Sequence, residues 1–263
     1  MTSRVSIRAV AGPGGTVIAS LSGTEPWRPR VLGGVASATA GWARVALVQS
    51  RASLLEADDV ALEVDVQAGA ALELVEIGAM LAHSARHGRE ASVTARARVE
   101  DGGRLIWLGQ PLIIGAGAAV RSELAIELAA GALMLRGESV VLGRAGEECG
   151  SLCAHTRVTH DSSVLLDETL ETGDRVVLRS PVIAGEARMI AAVTLGGCRD
   201  HLPPADVMQA HGPATLWRGA GDTVVLGRSA ERVAGRWRRL IGDRVPFAGD
   251  VPVGVASSSH RDR

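Results

Sequence analysis

Turn residues punctuate this chain at nearly even intervals, and each turn separates two alternating runs. Gly69, Gly102, Gly131 and Asp161 lie 33, 29 and 30 residues apart. In VALEVDV (60–66), Val60, Leu62, Val64 and Val66 stand opposite Ala61, Glu63 and Asp65. A period of two marks a strand with one buried and one wet face, because successive side chains leave a pleated backbone on opposite sides. The turn QAGA and a second alternating run, ALELVEI, follow. The design recurs as SVTARARVE–DGG–RLIWL, SELAIEL–AAGA–LMLRGESVVL and CAHTRVT–HDSS–VLLDETLE. Four strand–turn–strand units in succession predict a mainly β domain of stacked hairpins or coils. VVLRSPVIAG (176–185) and EARMIAAVTLGG (186–197) read as further strand.

Helical signals are few. Residues 77–89 read as a short helix or as a strand with a loop. ADVMQAHG (205–212), after Pro203-Pro204, reads as one or two helical turns. SAERVAGRWRRLIGD (229–243) is the best helix: Ser229 can cap it, Glu231 lies in its first turn, and Val233, Trp237, Leu240 and Ile241 share a face. Arg236, Arg238 and Arg239 are expected on its solvated face. Residues 1–250 read as one β-rich domain with an irregular Gly/Pro/Ser/Thr-rich lead-in over 1–40, and 251–263 as a disordered tail. The pentapeptide VVLGR occurs twice, at 140–144 and 224–228, and both copies read as strands that stop at glycine.

Composition narrows function mostly by exclusion. Aromatic residues are 2% of the chain, with no Tyr and a single Phe, so Val, Leu, Ala and Ile must build the core. A net charge of −1 supplies no basic footprint for nucleic acid. No signal-peptide pattern and no run of about 20 apolar residues is present, so a soluble cytoplasmic protein with reduced Cys149, Cys153 and Cys198 is expected. There is no G-x-S-x-G and no G-x-x-x-x-G-K-[ST]. His83 and His87 would share one face of a helix and are weak metal candidates, though two surface histidines beside a loop is the simpler reading. Cys149, Cys153 and His155 form a looser set that buried thiols explain as well. No acid–base dyad follows from spacing, so a binding or scaffold protein fits better than an enzyme.

The segment from Leu105 to Arg144 resembles the central part of the UreD (UreH) family of urease accessory proteins. Trp107, Gln110 and Pro111 match an L-x-W-L-P-Q-P-like element; Gly117-Ala118, Arg121 and Gly131-Ala132 match the next; Glu138, Gly143 and Arg144 match an E-x-x-x-L-G-R close. The likeness extends more loosely over 30–245 and suggests a divergent member. It implies a fold of helically arranged strands with two or three short helices, one near the C-terminus, and no catalysis. It implies binding to urease apoprotein and to a UreF-type partner that recruits the nickel-carrying UreG GTPase. Nickel would be in transit, with no tightly bound cofactor. On that resemblance Asp58, Glu138 and Asp167 are candidates to line a nickel passage, and Arg144 is expected to pair with a carboxylate inside the sheet. The competing reading is a β-rich interaction module unrelated to urease; a hydrolase with converging carboxylates is disfavoured.

Overall fold

Strands lead the chain from its start in the computed structural model, which describes residues 2–32 and 41–242. In order these are β1 (Thr2–Gly12), β2 (Gly15–Gly23), β3 (Trp27–Val31), β4 (Ala43–Gln49), β5 (Ser53–Leu54) and β6 (Asp59–Val66). Then come β7 (Ala71–Ile77), β8 (Met80–Ala82), β9 (Ala91–Val99), β10 (Arg104–Leu108), β11 (Leu112–Ile114) and β12 (Ala119–Leu128). The chain continues through β13 (Leu133–Val141), β14 (Ser151–His160), β15 (Ser163–Glu171), α1 (Arg175–Leu178), β16 (Met189–Gly196), β17 (Val207–Gln209), β18 (Ala214–Gly221) and α2 (Thr223–Gly242).

The strands form two facing sheets. One runs β15-β14-β12-β9-β6-β1-β2, the other β17-β18-β16-β13-β10-β7-β4-β3. Between β4 and β14 the chain alternates between them, making a third, short parallel ladder of β5, β8 and β11 on the way. Each circuit adds one parallel strand per sheet, so the strands are helically arranged. The sequence interval is the coil length: Ala71 pairs Arg104 and Arg104 pairs Leu133, steps of 33 and 29 residues. Gly69 and Gly102 both take φ +67° at successive corners, where glycine carries no Cβ penalty. The corners are tied together: Gly69 N–H donates to Asp101 O (3.0 Å) and Gly131 N–H to Asp101 Oδ1 (2.9 Å). The last unit differs. Asp161 and Ser162, at φ +47° and +64°, turn β14 into an antiparallel hairpin with β15.

Even-numbered residues of β6 face inward: Val60, Leu62, Val64 and Val66 are at most 3% exposed. Burying each contributes roughly 1.5–3 kcal/mol relative to exposure. This inter-sheet core also takes in Leu72, Leu105, Trp107 and Met134. A second cluster lies between the other sheet face and α2, where Ile106, Leu135, Val193 and Trp217 meet Leu226, Val233, Trp237 and Ile241.

Several expectations fail here for identifiable reasons. The helix starts at Thr223, before Ser229, because Asp222 Oδ1 accepts the N–H of Val224 (2.9 Å) and Val225 (3.3 Å). The second VVLGR is therefore helical, while the first ends strand β13. Arg236 and Arg238 are not a free solvated face: Arg236 Nε lies 2.7 Å from Asp200 Oδ2 and Arg238 Nη2 lies 2.6 Å from Glu73 Oε1. Both carboxylates are buried, so these pairs hold the helix to the sheet. Residues 207–209 of the expected helical turn pair as strand with β18. VVLR (176–179), read as strand, opens with a helical turn capped by Asp174. The lead-in is regular strand up to Val31, and residues 77–89 finish β7, form the short β8 and run on as loop. The expected tail, 251–263, lies outside the described residues.

Candidate functional site

A cavity of about 340 Å³ lies between the two sheets. Its walls include the apolar Leu54, Val93, Leu112 and Leu152, and a row of charged groups crosses it. The row follows from strand geometry. In β7, β13 and β18 the inward residues are of even number, so Glu76, Arg136, Glu138 and Arg218 point into the space between the sheets. The register sets Glu138 opposite Ala192 and Ala192 opposite Arg218. Glu138 and Arg218 are thus two strand spacings, about 9–10 Å, apart with only a methyl between them.

At one side, Glu76 accepts Trp107 Nε1–H (2.7 Å) and Gln110 N–H (2.9 Å). The Arg136 guanidinium stacks on Trp107, its Cζ 4.5 Å from the ring centroid, and its Nη2 lies 3.8 Å from Glu138 Oε2. At the other side Arg218 Nη2 lies 2.7 Å from Glu168 Oε1 of β15, a pair that joins the two sheets. Arg218 Nη1 also donates to Trp217 O (3.0 Å) and to Thr194 Oγ1 (3.4 Å). Of the residues lining the cavity, Trp27 and Arg136 each have a buried donor, Nε1 and Nε, that meets no acceptor among the described residues. The site is therefore a largely apolar cavity crossed by a row of carboxylates and guanidiniums that can hold water. Among the described residues no three His, Cys, Asp or Glu converge as metal ligands. Oxygen ligands spaced along a row can bind a divalent cation weakly and in succession, whereas a closed tetrahedral site would retain it.

Of the residues chosen from sequence, Glu138, Trp107 and Gln110 line this cavity. Asp58 does not. It is 4% exposed before β6, contacts Arg51 and accepts Leu55 N–H (2.9 Å), which ties down the loop. Asp167 lies on the outer face of the sheet, 2.8 Å from His155 Nε2 and against Arg157. Its hydrogen bond to His155, with the Arg157 charge, lowers its carboxyl below the ordinary value. His83 and His87 are exposed in the loop after β8, not on a helix, and His87 Nδ1 sits 3.1 Å from Glu56. The Glu56 carboxyl is held at about 2, chiefly by the His87 backbone N–H. Pro111 O accepts Met80 N–H (3.0 Å), joining the short ladder. Gly143 takes φ +82° where β13 ends. Arg144 pairs with Glu147 in an exposed loop, outside the sheet where its partner was expected. The three cysteines are free; burial pushes the Cys149 thiol up. Sequence reasoning noted Glu76 beside the histidine pair and Glu168 among the carboxylates of LLDETLE but assigned neither to a site, and it passed over Arg136 and Arg218. Each is a charged residue at an inward position of its strand, yet alternation does not say which of them meet.

No helix among the described residues is long and apolar enough to cross a membrane. The model of the UreD urease accessory protein family matches residues 2–246. The chain is 41% identical over 161 residues to urease accessory protein UreD 1 of Streptomyces griseus subsp. griseus, covering 61% of this chain and 63% of that relative. It is 34% identical over 196 residues to UreD 1 of Saccharopolyspora erythraea, covering 74% and 77%, and 31% identical over 244 residues to UreD 2 of the same organism, covering 91% and 85%. These relatives are accessory proteins and not urease itself. An interaction module unrelated to urease is thereby set aside: with a family match over nearly its whole length, the chain belongs to the UreD family of urease accessory proteins.

Proposed function

We propose that this chain is a non-catalytic scaffold of urease maturation. It binds urease apoprotein and a UreF-type partner so that nickel brought by the UreG GTPase reaches the urease active site in the cytoplasm. The cavity is the stretch of the nickel route that this chain supplies. The observation that carries this is the charged row, Glu76, Arg136, Glu138, Arg218 and Glu168, set across a cavity of about 340 Å³. That is far more than the ~10–15 Å³ that admits a single water, so a partly hydrated ion fits. Carboxylate oxygens exchange with ligand water readily enough to pass an ion along, which suits transit.

The test is co-expression of this chain with its UreF-type and UreG-type partners and urease apoprotein. Nickel bound by purified urease is measured for the parent and for Glu138→Gln and Glu168→Gln. The expected result is a several-fold loss of urease nickel while each variant still co-purifies with its partners. Full nickel loading with both variants, or loading with this chain omitted, overturns the reading.

A further inference from the structure

The cavity's carboxylates are not idle. Glu168 is engaged by Arg218 at 2.7 Å, and Glu138 lies 3.8 Å from Arg136. Both guanidiniums are anchored from behind. Arg218 holds Trp217 O and Thr194 Oγ1, and Arg136 rests on Trp107 and holds Trp107 O at 3.3 Å. Arg136 is short of acceptors in addition, because its buried Nε has none among the described residues. A carboxylate that accepts from an arginine must release it, at least in part, before the same oxygens can ligate a metal. A fixed positive charge a few ångströms from a divalent cation also raises that cation's energy, and the effect grows where water is scarce.

We propose that Arg136 and Arg218 are resident counter-cations of the passage. When no ion is present Arg218 occupies Glu168 and Arg136 stands 3.8 Å from Glu138 as its counter-charge; both give way as an ion arrives and return to their carboxylates as it leaves. On this account the arginines set how weakly the route holds its cargo, and removing one turns a relay into a trap. The inference rests on the passage reading above, because it concerns how an ion is handled there.

The test is equilibrium dialysis of the full chain against nickel(II) alone, with far-UV circular dichroism and the thermal midpoint as controls for folding. Arg218→Met keeps an unbranched stem reaching about as far as the arginine Nε and removes the guanidinium and its charge; it is expected to bind nickel about tenfold tighter than the parent. Arg218→Lys retains the charge and stays near the parent. Adding Glu168→Gln to Arg218→Met returns the affinity to the parent range. A folded Arg218→Met chain whose affinity is unchanged or weaker overturns the proposal. If Arg218→Met does not fold, Arg136→Met gives the same readout at the Glu138 pair, with the same outcomes. The two ideas fail separately. Urease nickel that is indifferent to Glu138→Gln and Glu168→Gln sinks the passage, whereas a nickel loss in those variants with no tightening in the arginine variants sinks only the counter-cation role.

Discussion

The two VVLGR copies allow one substitution to be made twice with opposite expected outcomes. Gly143 closes the strand copy at φ +82°, and a Cβ there would lie 2.8 Å from the backbone oxygens of both Glu147 and Glu148. An alanine in the left-handed region costs roughly 1–2 kcal/mol before any clash is counted. The clash is with backbone, in a loop whose carbonyls are also held by Arg188, so relief requires the loop to move. The sum for Gly143→Ala is about 2–4 kcal/mol of destabilisation. Gly227 sits at the equivalent letter of the helical copy, with nothing within 4 Å of a Cβ. There alanine removes backbone freedom from the unfolded chain and favours the helix, so Gly227→Ala stabilises by about 0.5–1 kcal/mol. Urea unfolding of the full chain, read as midpoint and slope, separates these by about 2.5–5 kcal/mol. In thermal unfolding a difference of each kcal/mol moves the midpoint by ~2–4 °C for a chain of this size. Two variants shifting the same way, with unchanged slopes, refute the claim that tertiary context assigns the same pentapeptide opposite backbone demands.

The remaining predictions concern the helix anchor and the cavity. Asp200, hydrogen-bonded first by Arg236 and also by Leu202 N–H and Trp237 Nε1–H, has its carboxyl lowered from 3.8 to about 2. A depressed folded value stabilises the fold above the unfolded value and the gain is lost as pH falls from 3.8 towards 2. Discounted for solvent at Arg236, Asp200→Asn costs about 1–2 kcal/mol at pH 7 and about half that at pH 3 in urea unfolding; an equal penalty at both pH values refutes the linkage. Trp107→Phe deletes the donor to Glu76 while keeping a ring beneath Arg136, and is expected to cost about 1 kcal/mol of stability and to lower urease nickel loading; loading at the parent level argues against a role for the Glu76 side of the row. Ala192→Leu places a larger side chain between Glu138 and Arg218 and is expected to keep the thermal midpoint within a few degrees while lowering nickel loading, whereas undiminished loading shows that the route does not cross this row.

How much of this could be read from sequence depended on whether a residue's fate is set locally. The coil period was legible because each corner needs a turn residue, and Gly69, Gly102 and Gly131 mark corners directly. The hairpin marked by Asp161 looked the same in sequence, since turn chemistry does not say whether the next strand joins the same sheet or the facing one. Both VVLGR copies have strand propensity; Asp222 as cap and the apolar face of α2 against the sheet override it in the second. Trp107 and Glu138, which line the cavity, were singled out through family resemblance, and the grouping of Glu76, Arg136, Arg218 and Glu168 was not legible. Their grouping arises from register between strands up to 142 positions apart, from Glu76 to Arg218, which alternation cannot report. Asp58 and Asp167 lie outside the cavity for the converse reason. Each is an acidic residue near a strand, and only the fold shows that one clamps a loop and the other faces outward.

A polar row inside the core is a natural product of this architecture and an expensive one. In any ladder, parallel as at β7-β10-β13 or antiparallel as at β13-β16-β18, residues of matching register line up perpendicular to the strands at about 4.8 Å per step. An inward charge on one strand therefore finds its neighbour's side chain within reach, and a few charged inward positions form a row without any loop being built to hold them. The cost is desolvation, and it falls on groups that must not be locked too firmly if an ion is to pass. Setting arginines beside Glu138 and Glu168, and N–H donors on Glu76, reduces that cost in the empty state, and the small Ala192 and Ser139 beside the row leave space for water. The rings that do face the cavity, Trp27 and Trp107, turn their N–H groups to polar use or leave them unmet, which fits a surface that bounds a passage better than one that completes a core.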